Sequence, residues 1–503
     1  MTPEHFAELS AAGYNRIPLT REIFADLDTP LSTYLKLAAE PYSYLFESVQ
    51  GGEKWGRYSF IGLSCKTIVR VHGNTVTVSV DDLVTQTHEV ENPLTWIAAF
   101  TDRYKSPDLA DMPRFNGGLV GYFGYDTVRI VEPRLGPCQR HDDVGTPDIM
   151  LMISDEVLAF DNLRGRLSII VHADPNTPDA FEQTHARIDA LAEQLHTQTI
   201  SSAFRPLATP VAEADFVSDY GQAAFKADVE RCKQYIVDGD AMQIVLSQRM
   251  SAPFDGEPLD LYRALRGLNP SPYMFYLHMG DFHIVGSSPE ILTRVEDREI
   301  TLRPLAGTRP RGRDREHDQA LERELLADPK ELAEHLMLID LGRNDVGRVA
   351  TTGSVEVTDR MAVERYSHVM HIVSNVTGRL ADEHSVMDAL AATFPAGTLS
   401  GAPKVRALEI LNDMEPTKRG VYSGAVGYIS WNGTMDTAIA IRTAVIKEER
   451  LYVQAGAGIV ADSVAEAEWQ ETLSKARAIF AAAELATSGL QFAKRHPQDA
   501  AKR

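Results

Sequence analysis

Between Gln222 and Leu485 stretches with helical periodicity alternate with short apolar strands, several in hairpin-like pairs. That alternation restricts the chain to a mixed α+β arrangement. Phe225, Val229, Cys232 and Ile236 repeat at helical spacing over Gln222 to Asp238, and Gly239-Asp240 ends this helix before a strand from Met242 to Leu246. Further helices are expected at about Arg315 to Leu326, Lys330 to Leu341, Val386 to Ala392, Lys404 to Asn412 and Ser463 to Leu485. Strands are expected at His283 to Ser287, Ala425 to Trp431, Asp436 to Val445 and Leu451 to Ala457.

The stretch before about residue 200 reads as short strands, such as Thr75 to Val80 and Leu167 to Val171, with a helix from Phe181 to about His196. Gly117 to Tyr125 reads as a buried strand whose glycines allow close backbone approach. Pro206 and Pro210 mark a linker around Ser201 to Asp215, so the expected division is 1–205, 216–490 and a flexible tail at 491–503. Fifty Lys plus Arg against 71 Asp plus Glu give a formal charge of −21, which disfavours nucleic acid as a partner. Cys65, Cys138 and Cys232 fall in no metal-ligand spacing. No secretory leader pattern or apolar run of membrane-spanning length is visible, so a cytoplasmic protein with no membrane partner is expected.

Two acidic pairs stand out. Glu331 and Glu334 lie three apart on one helix, and Glu468 and Glu471 repeat the spacing on another, with Lys475 one turn further on. Two carboxylate pairs suit a hard cation such as Mg²⁺, although a solvated helix face would show the same spacing. Gly456-Ala457-Gly458 follows a strand and reads either as a small-residue turn that brings backbone N–H groups to an anionic ligand or as a plain strand-end turn. Lys404, after the glycine-rich run from Phe394, could hold an anion at a helix N-terminus. Arg442 and Tyr422 sit on apolar strands, where a buried charge needs either an anionic substrate or a core carboxylate. His368 and His371 lie three apart in a segment that reads as strand, so at most one of them faces a given site. No nucleophile elbow or glutaminase-type cysteine is present, which leaves covalent catalysis unsupported.

From about Ala224 to Leu485, Gly239-Asp240-Ala241-Met242-Gln243, Gly286-Ser287-Ser288-Pro289-Glu290, Pro304-Leu305-Ala306-Gly307-Thr308, Ile339-Asp340-Leu341-Gly342-Arg343-Asn344-Asp345, Ser400-Gly401-Ala402-Pro403-Lys404 and the Gly456 segment follow in order. This series resembles the chorismate-utilising enzymes: the anthranilate, aminodeoxychorismate, isochorismate and salicylate synthases. The resemblance implies an α+β fold of mixed antiparallel sheets with surrounding helices. It implies Mg²⁺ at Glu334 and Glu471, with Glu331 and Glu468 as neighbours that bind through water or tune the site. It places Gly307, Thr308, Tyr422, Arg442, Gly456, Ala457, Gly458 and Lys475 around chorismate, and His371 close to the departing C4 hydroxyl. Ala306 stands where aminodeoxychorismate synthases carry a lysine nucleophile, and Gln243 where isochorismate and salicylate synthases carry a water-activating lysine.

Those two positions point to the anthranilate-forming members, which convert chorismate and ammonia to anthranilate and pyruvate in tryptophan biosynthesis. The resemblance then implies a glutamine amidotransferase partner as the ammonia source, in a heterotetramer of two large and two small subunits. Leu45-Phe46-Glu47-Ser48 and Asn269 to Phe275 resemble the two halves of a tryptophan-binding element, with Ser48, Pro272, Tyr273 and Met274 as its positions. Two alternatives stay open: an aminodeoxyisochorismate or phenazine-pathway synthase that stops before pyruvate leaves, and a non-catalytic amino-acid-sensing subunit.

Overall fold

The computed structural model describes residues 1–48, 57–200, 209–366 and 369–490, and its strands form three antiparallel sheets among those residues. The twelve-stranded sheet runs from Ile17–Phe24 through Arg166–Ala173, Glu156–Asp161, Tyr58–Gly62 and Ser43–Glu47 to Tyr273–His278 and Phe282–Ser288. It continues through Thr443–Lys447, Arg450–Ile459 and Gln243–Pro253, with Gly401–Ala402 pairing beside the last. The eleven-stranded sheet has Ile291–Glu296, Met435–Ile439, Ala425–Ser430, Gly118–Phe123 and Ile149–Ser154 at its centre. A small sheet of Leu305–Pro310, Val369–Val373 and Ala362–Arg365 completes the set.

Both large sheets are shared between the early and late sequence. Met274 pairs with Glu47 in one, and Gly427 pairs with Gly121 in the other, so the 205–216 segment separates two stretches that are woven together. Tyr44, Phe60 and Phe275 from the first sheet meet Tyr122, Met150 and Tyr428 from the second in one buried cluster. Burying each such side chain is worth ~1.5–3 kcal/mol, which makes the contact between sheets a major source of stability. Gly118 and Gly121 do allow the expected close approach, since a Cβ there would lie 2.1 and 2.0 Å from the carbonyl oxygens of Ile429 and Met150. The helix Ala465–Thr487 buries Trp469, Ala476, Ile479 and Phe480 and packs on Arg450–Ile459.

Several expectations change, and Tyr422 lies in the turn before Ala425–Ser430, not on a strand. Asp436 to Val445 is two strands, Met435–Ile439 and Thr443–Lys447, in different sheets, because Arg442 takes a left-handed backbone (φ 48°) that turns the chain from one sheet to the other. Gly456 to Gly458 is the interior of Arg450–Ile459, paired with Ser247 to Val245, and neither kind of turn. The helix that starts near Lys330 runs on to Gly347. His368, the 491–503 tail and residues 201–208 of the linker lie outside the described residues. Among the described residues no helix is long and apolar enough to cross a membrane.

Candidate functional site

Of the acidic helices, Ala465–Thr487 packs on Arg450–Ile459, while Pro329–Gly347 packs on Leu305–Pro310 and Val376–Arg379 and reaches Gln243 through Glu334. Pro329–Gly347 begins at Asp328, whose carboxylate accepts from the Lys330 and Glu331 amides and so sets the direction of the first turn. One turn in, the Glu334 carboxylate accepts from the Gln243 amide at 3.0 Å. Glu331 is held by Arg309 at 3.1 Å, which also pairs with Glu324 and Asp328. On the other helix Glu471 pairs with Lys475 at 2.8 Å, and Lys475 also donates to the Gly456 carbonyl at 2.9 Å. Burial raises the Glu468 carboxyl above its usual range; Ser463 opposes this, Glu471 reinforces it, and Lys475 and Lys330 oppose it. Lys330 stands on the first helix, so its charge reaches Glu468 on the second.

Two glycines make room for the side chains beside this strand. A Cβ on Gly458 would meet the Gln243 amide nitrogen at 2.8 Å, and one on Gly456 would meet the Tyr422 hydroxyl at 3.0 Å. Glu334 and Glu471 are thus joined through Gln243, the 456–458 backbone and Lys475. Among the described residues no three His, Cys, Asp or Glu side chains converge in ligand geometry. A cation at this site would rest on one or two carboxylates and on ligand oxygens, which is how Mg²⁺ is usually held, and hard oxygen donors from Glu334 and Glu471 fit it.

The small sheet carries the next group. Leu305–Pro310 is bulged between Ala306 and Thr308, with Gly307 in the left-handed region (φ 67°) that favours glycine. The bulge aims the Gly307 carbonyl at His371 Nδ1, 3.0 Å away, with the Thr308 hydroxyl at 3.1 Å. A carbonyl only accepts, so Nδ1 carries the proton and Nε2 is left as an acceptor. Burial pulls the imidazole down to about 4; the Gly307 carbonyl opposes this and the Arg442 charge reinforces it. His371 is therefore neutral at neutral pH.

Arg442 is half-buried, and among the described residues no hydrogen bond or ion pair holds its guanidinium. Burial weakens its hold on the proton, while Tyr366 and Glu290 act in the opposite sense. Glu290 is a functional candidate that motif reading left without a role. It is buried, accepts from the Thr398 hydroxyl at 3.1 Å, and is pushed up to about 8 by burial despite Thr398, the Leu305 amide, Arg442 and Lys475. One signal lay in the sequence: a carboxyl between the apolar strands Phe282–Ser288 and Ile291–Glu296 has little choice but burial. Lys404 has a different fate from the one expected. It is paired with buried Asp345 at 2.7 Å.

A second cavity shares no lining residue with these groups and is lined by Ser48, Pro272, Tyr273 and Met274 together with Arg114 and Asp436. The pairing of Tyr273–His278 with Ser43–Glu47 unites positions more than 220 residues apart. Asp436 accepts from Arg294 at 2.7 Å and from the Tyr273 hydroxyl at 2.9 Å, whereas Arg114 Nε and the Tyr428 hydroxyl have no hydrogen-bond partner among the described residues.

Three comparisons bear on this geometry. A family described as chorismate binding enzyme matches residues 81–481. Anthranilate synthase component 1 of Pseudomonas putida is 59% identical over 487 residues, covering 97% of this chain and 99% of that one. The crystal structure of anthranilate synthase component I from Streptococcus pneumoniae TIGR4 is similar with a TM-score of 0.76 and 37% identity, over 91% of this chain and 99% of that one. The menaquinone-specific isochorismate synthase of Escherichia coli shares the fold at a TM-score of 0.69 and 19% identity, over 95% and 98% of the two chains.

Proposed function

This chain belongs to the chorismate-binding enzymes, and from that premise we propose that it is the large component of an anthranilate synthase, turning chorismate and ammonia into anthranilate, pyruvate and water. The observation that carries the reading is the grouping of Arg442, whose guanidinium has no partner among the described residues, and Lys475 with two titratable groups displaced in opposite directions, Glu290 and His371. Chorismate is a dianion whose C4 hydroxyl must leave with a proton. A cationic pocket with a protonated acid suits it.

Arg442 and Lys475 would bind one carboxylate, with the 456–458 backbone and the Gly307–Thr308 bulge shaping the walls and Tyr422 packed over Gly456. Glu334 and Glu471, tuned by Glu331 and Glu468, would hold Mg²⁺, which when bound neutralises and fixes the other carboxylate. Gln243 is an amide and cannot act as a base towards water, and Ala306 offers no nucleophile, so ammonia attacks at C2. The resemblance puts His371 beside the departing C4 hydroxyl. By protonation state Glu290 is the proton donor, and the neutral His371 accepts or orients through Nε2. Loss of the C2 proton and of the enolpyruvyl group as pyruvate then completes the aromatic ring.

Ammonia would come from glutamine through a separate amidotransferase subunit, as the component 1 name of the relatives suggests, in a two-plus-two assembly working in the cytoplasm. Tryptophan would bind the cavity at Ser48, Pro272, Tyr273 and Met274 as a feedback inhibitor, its indole among the aromatic walls and its charged groups near Arg114 and Asp436. Mass spectrometry of the products from chorismate, Mg²⁺ and ammonium salt tests the reading. Anthranilate and pyruvate in equal amounts are expected; an accumulating amino-enolpyruvyl compound, or no product, contradicts it.

A further inference from the structure

Beside Tyr422 lies a buried ion pair. Arg419 and Glu415 are 4% and 5% exposed. All five guanidinium N–H groups are engaged: Nε and Nη2 on the two Glu415 oxygens at 2.7 Å each, Nη2 on the Val245 carbonyl at 2.8 Å, and Nη1 on the Leu399 carbonyl at 2.8 Å and the Ser423 hydroxyl at 3.2 Å. Glu415 accepts in turn from the Ser247 amide at 2.9 Å and hydroxyl at 2.7 Å, and Ser247 is the cross-strand partner of Gly456. The guanidinium lies over the rings of Tyr125 and Tyr422, with its carbon 4.7 and 5.7 Å from their centroids.

These contacts reach three separate parts of the candidate site. Val245 and Ser247 belong to the twelve-stranded sheet. Tyr422 and Ser423 lead into Ala425–Ser430 of the eleven-stranded sheet, with Ser423 held in a left-handed backbone (φ 70°). Leu399 follows Thr398, the hydroxyl that donates to Glu290. A buried pair is a poor stabiliser compared with apolar side chains of similar volume, yet its bidentate fork fixes direction as well as distance. A device that constrains geometry is what this seam between two sheets and a loop requires.

We infer that Glu415 and Arg419 are positioning residues for the reaction, fixing Tyr422 over Gly456 and the Thr398–Glu290 contact relative to one another. The inference rests on the functional reading above, in which Tyr422 and Glu290 face chorismate. Neither Glu415 nor Arg419 needs to touch substrate for this role.

The test is steady-state kinetics with chorismate and ammonium on three full-length proteins: wild type, Glu415→Met/Arg419→Met, and Arg419→Lys. The double variant removes both charges together and is expected to unfold at a temperature close to wild type, yet to lose at least ~10-fold in kcat with a raised KM for chorismate. Arg419→Lys keeps one contact to Glu415 but cannot span Leu399, Ser423 and Val245 at once, and it should fall between the two. A folded double variant with wild-type kcat and KM overturns the inference. If the double variant does not fold, Arg419→Lys decides: wild-type constants overturn the inference, and a loss in kcat with a raised KM in a protein of unchanged thermal stability upholds it. A wild type that forms no anthranilate is a different failure, because it removes the functional reading itself.

Discussion

In the cavity beside Ser48 and Tyr273, charge already meets charge: buried Asp436 accepts from Arg294 and Tyr273, with Arg114 at 3.5 Å. At the site beside the acidic helices Arg442 has no such partner among the described residues, and Lys475 and Glu471 hold each other while nearly half exposed. The first region holds its carboxylate already paired, although Arg114 Nε and the Tyr428 hydroxyl have no partner among the described residues. On the proposed reading the second would be completed by its ligand: a bound dianion would supply the partner that Arg442 lacks among the described residues, and Glu334 and Glu471, now held by Gln243 and Lys475, would hold the cation. On the proposed reading proton chemistry belongs to the second site, where burial displaces Glu290 upward and His371 downward.

That contrast can be broken most severely at Glu290. Glu290→Gln should lower kcat by ~10²–10⁴-fold while leaving chorismate binding largely intact. Wild-type turnover should fall as pH rises through about 8, where the carboxyl loses its proton, and the variant should lack that limb. A variant with wild-type kcat would show that the displaced carboxyl is only structural. Stability should move the other way. Because the folded protein raises this carboxyl from the usual 4.5 to about 8, its favourable contribution is complete below the unfolded value and is lost as pH rises through the folded one. Glu290→Gln should therefore melt at a higher temperature than wild type at pH 8, by an amount that shrinks towards pH 5, in calorimetry across that range.

Gly307→Ala places a side chain at φ 67° and within 3.2 Å of the Glu331 carboxylate, at a cost of ~1–2 kcal/mol, and turns the carbonyl away from His371. A fall in kcat of about tenfold or more is expected, measured with ammonium as donor. Met274→Trp fills the cavity beside Ser48 and should weaken tryptophan inhibition by ~10-fold or more. Unchanged inhibition would place the regulator elsewhere. Smallest of all, Asp340→Ala on the helix that carries Glu334 removes only an exposed pair with Arg343 and should change stability by no more than ~0.5 kcal/mol.

Periodicity found helices such as Gln222–Val237 and Ala465–Thr487, because a helix buries one stripe, and Phe225, Val229 and Cys232 are all buried; it passed over shorter ones, among them Pro3–Ala11, Pro30–Leu37, Pro93–Thr101 and Pro258–Leu268. It failed where the backbone does something local. The left-handed residue at Arg442 divides an unbroken apolar run into strands of two sheets, and no hydrophobic pattern records a φ angle. Gly456 and Gly458 look like a turn from their size, yet they are gaps in a strand that make room for Tyr422 and Gln243. The same limit governed the site. Glu334 and Glu471 could be paired only through the family resemblance, and the ion pair at Glu415 and Arg419 drew no notice, since partners that include Val245, Ser247 and Leu399 are distant in sequence. The union of Ser48 with Met274 likewise depends on strand pairing, which spacing does not encode.

The most direct test of the central claim is a Mg²⁺ titration of anthranilate fluorescence for wild type, Glu334→Gln and Glu471→Gln, with chorismate and ammonium saturating. If the site is completed by a cation and chorismate, wild type shows saturable Mg²⁺ activation, while each variant loses turnover at every Mg²⁺ concentration with its circular dichroism unchanged. Variants that match wild type in turnover and in Mg²⁺ dependence would contradict the account and leave the two acidic helices as ordinary surface.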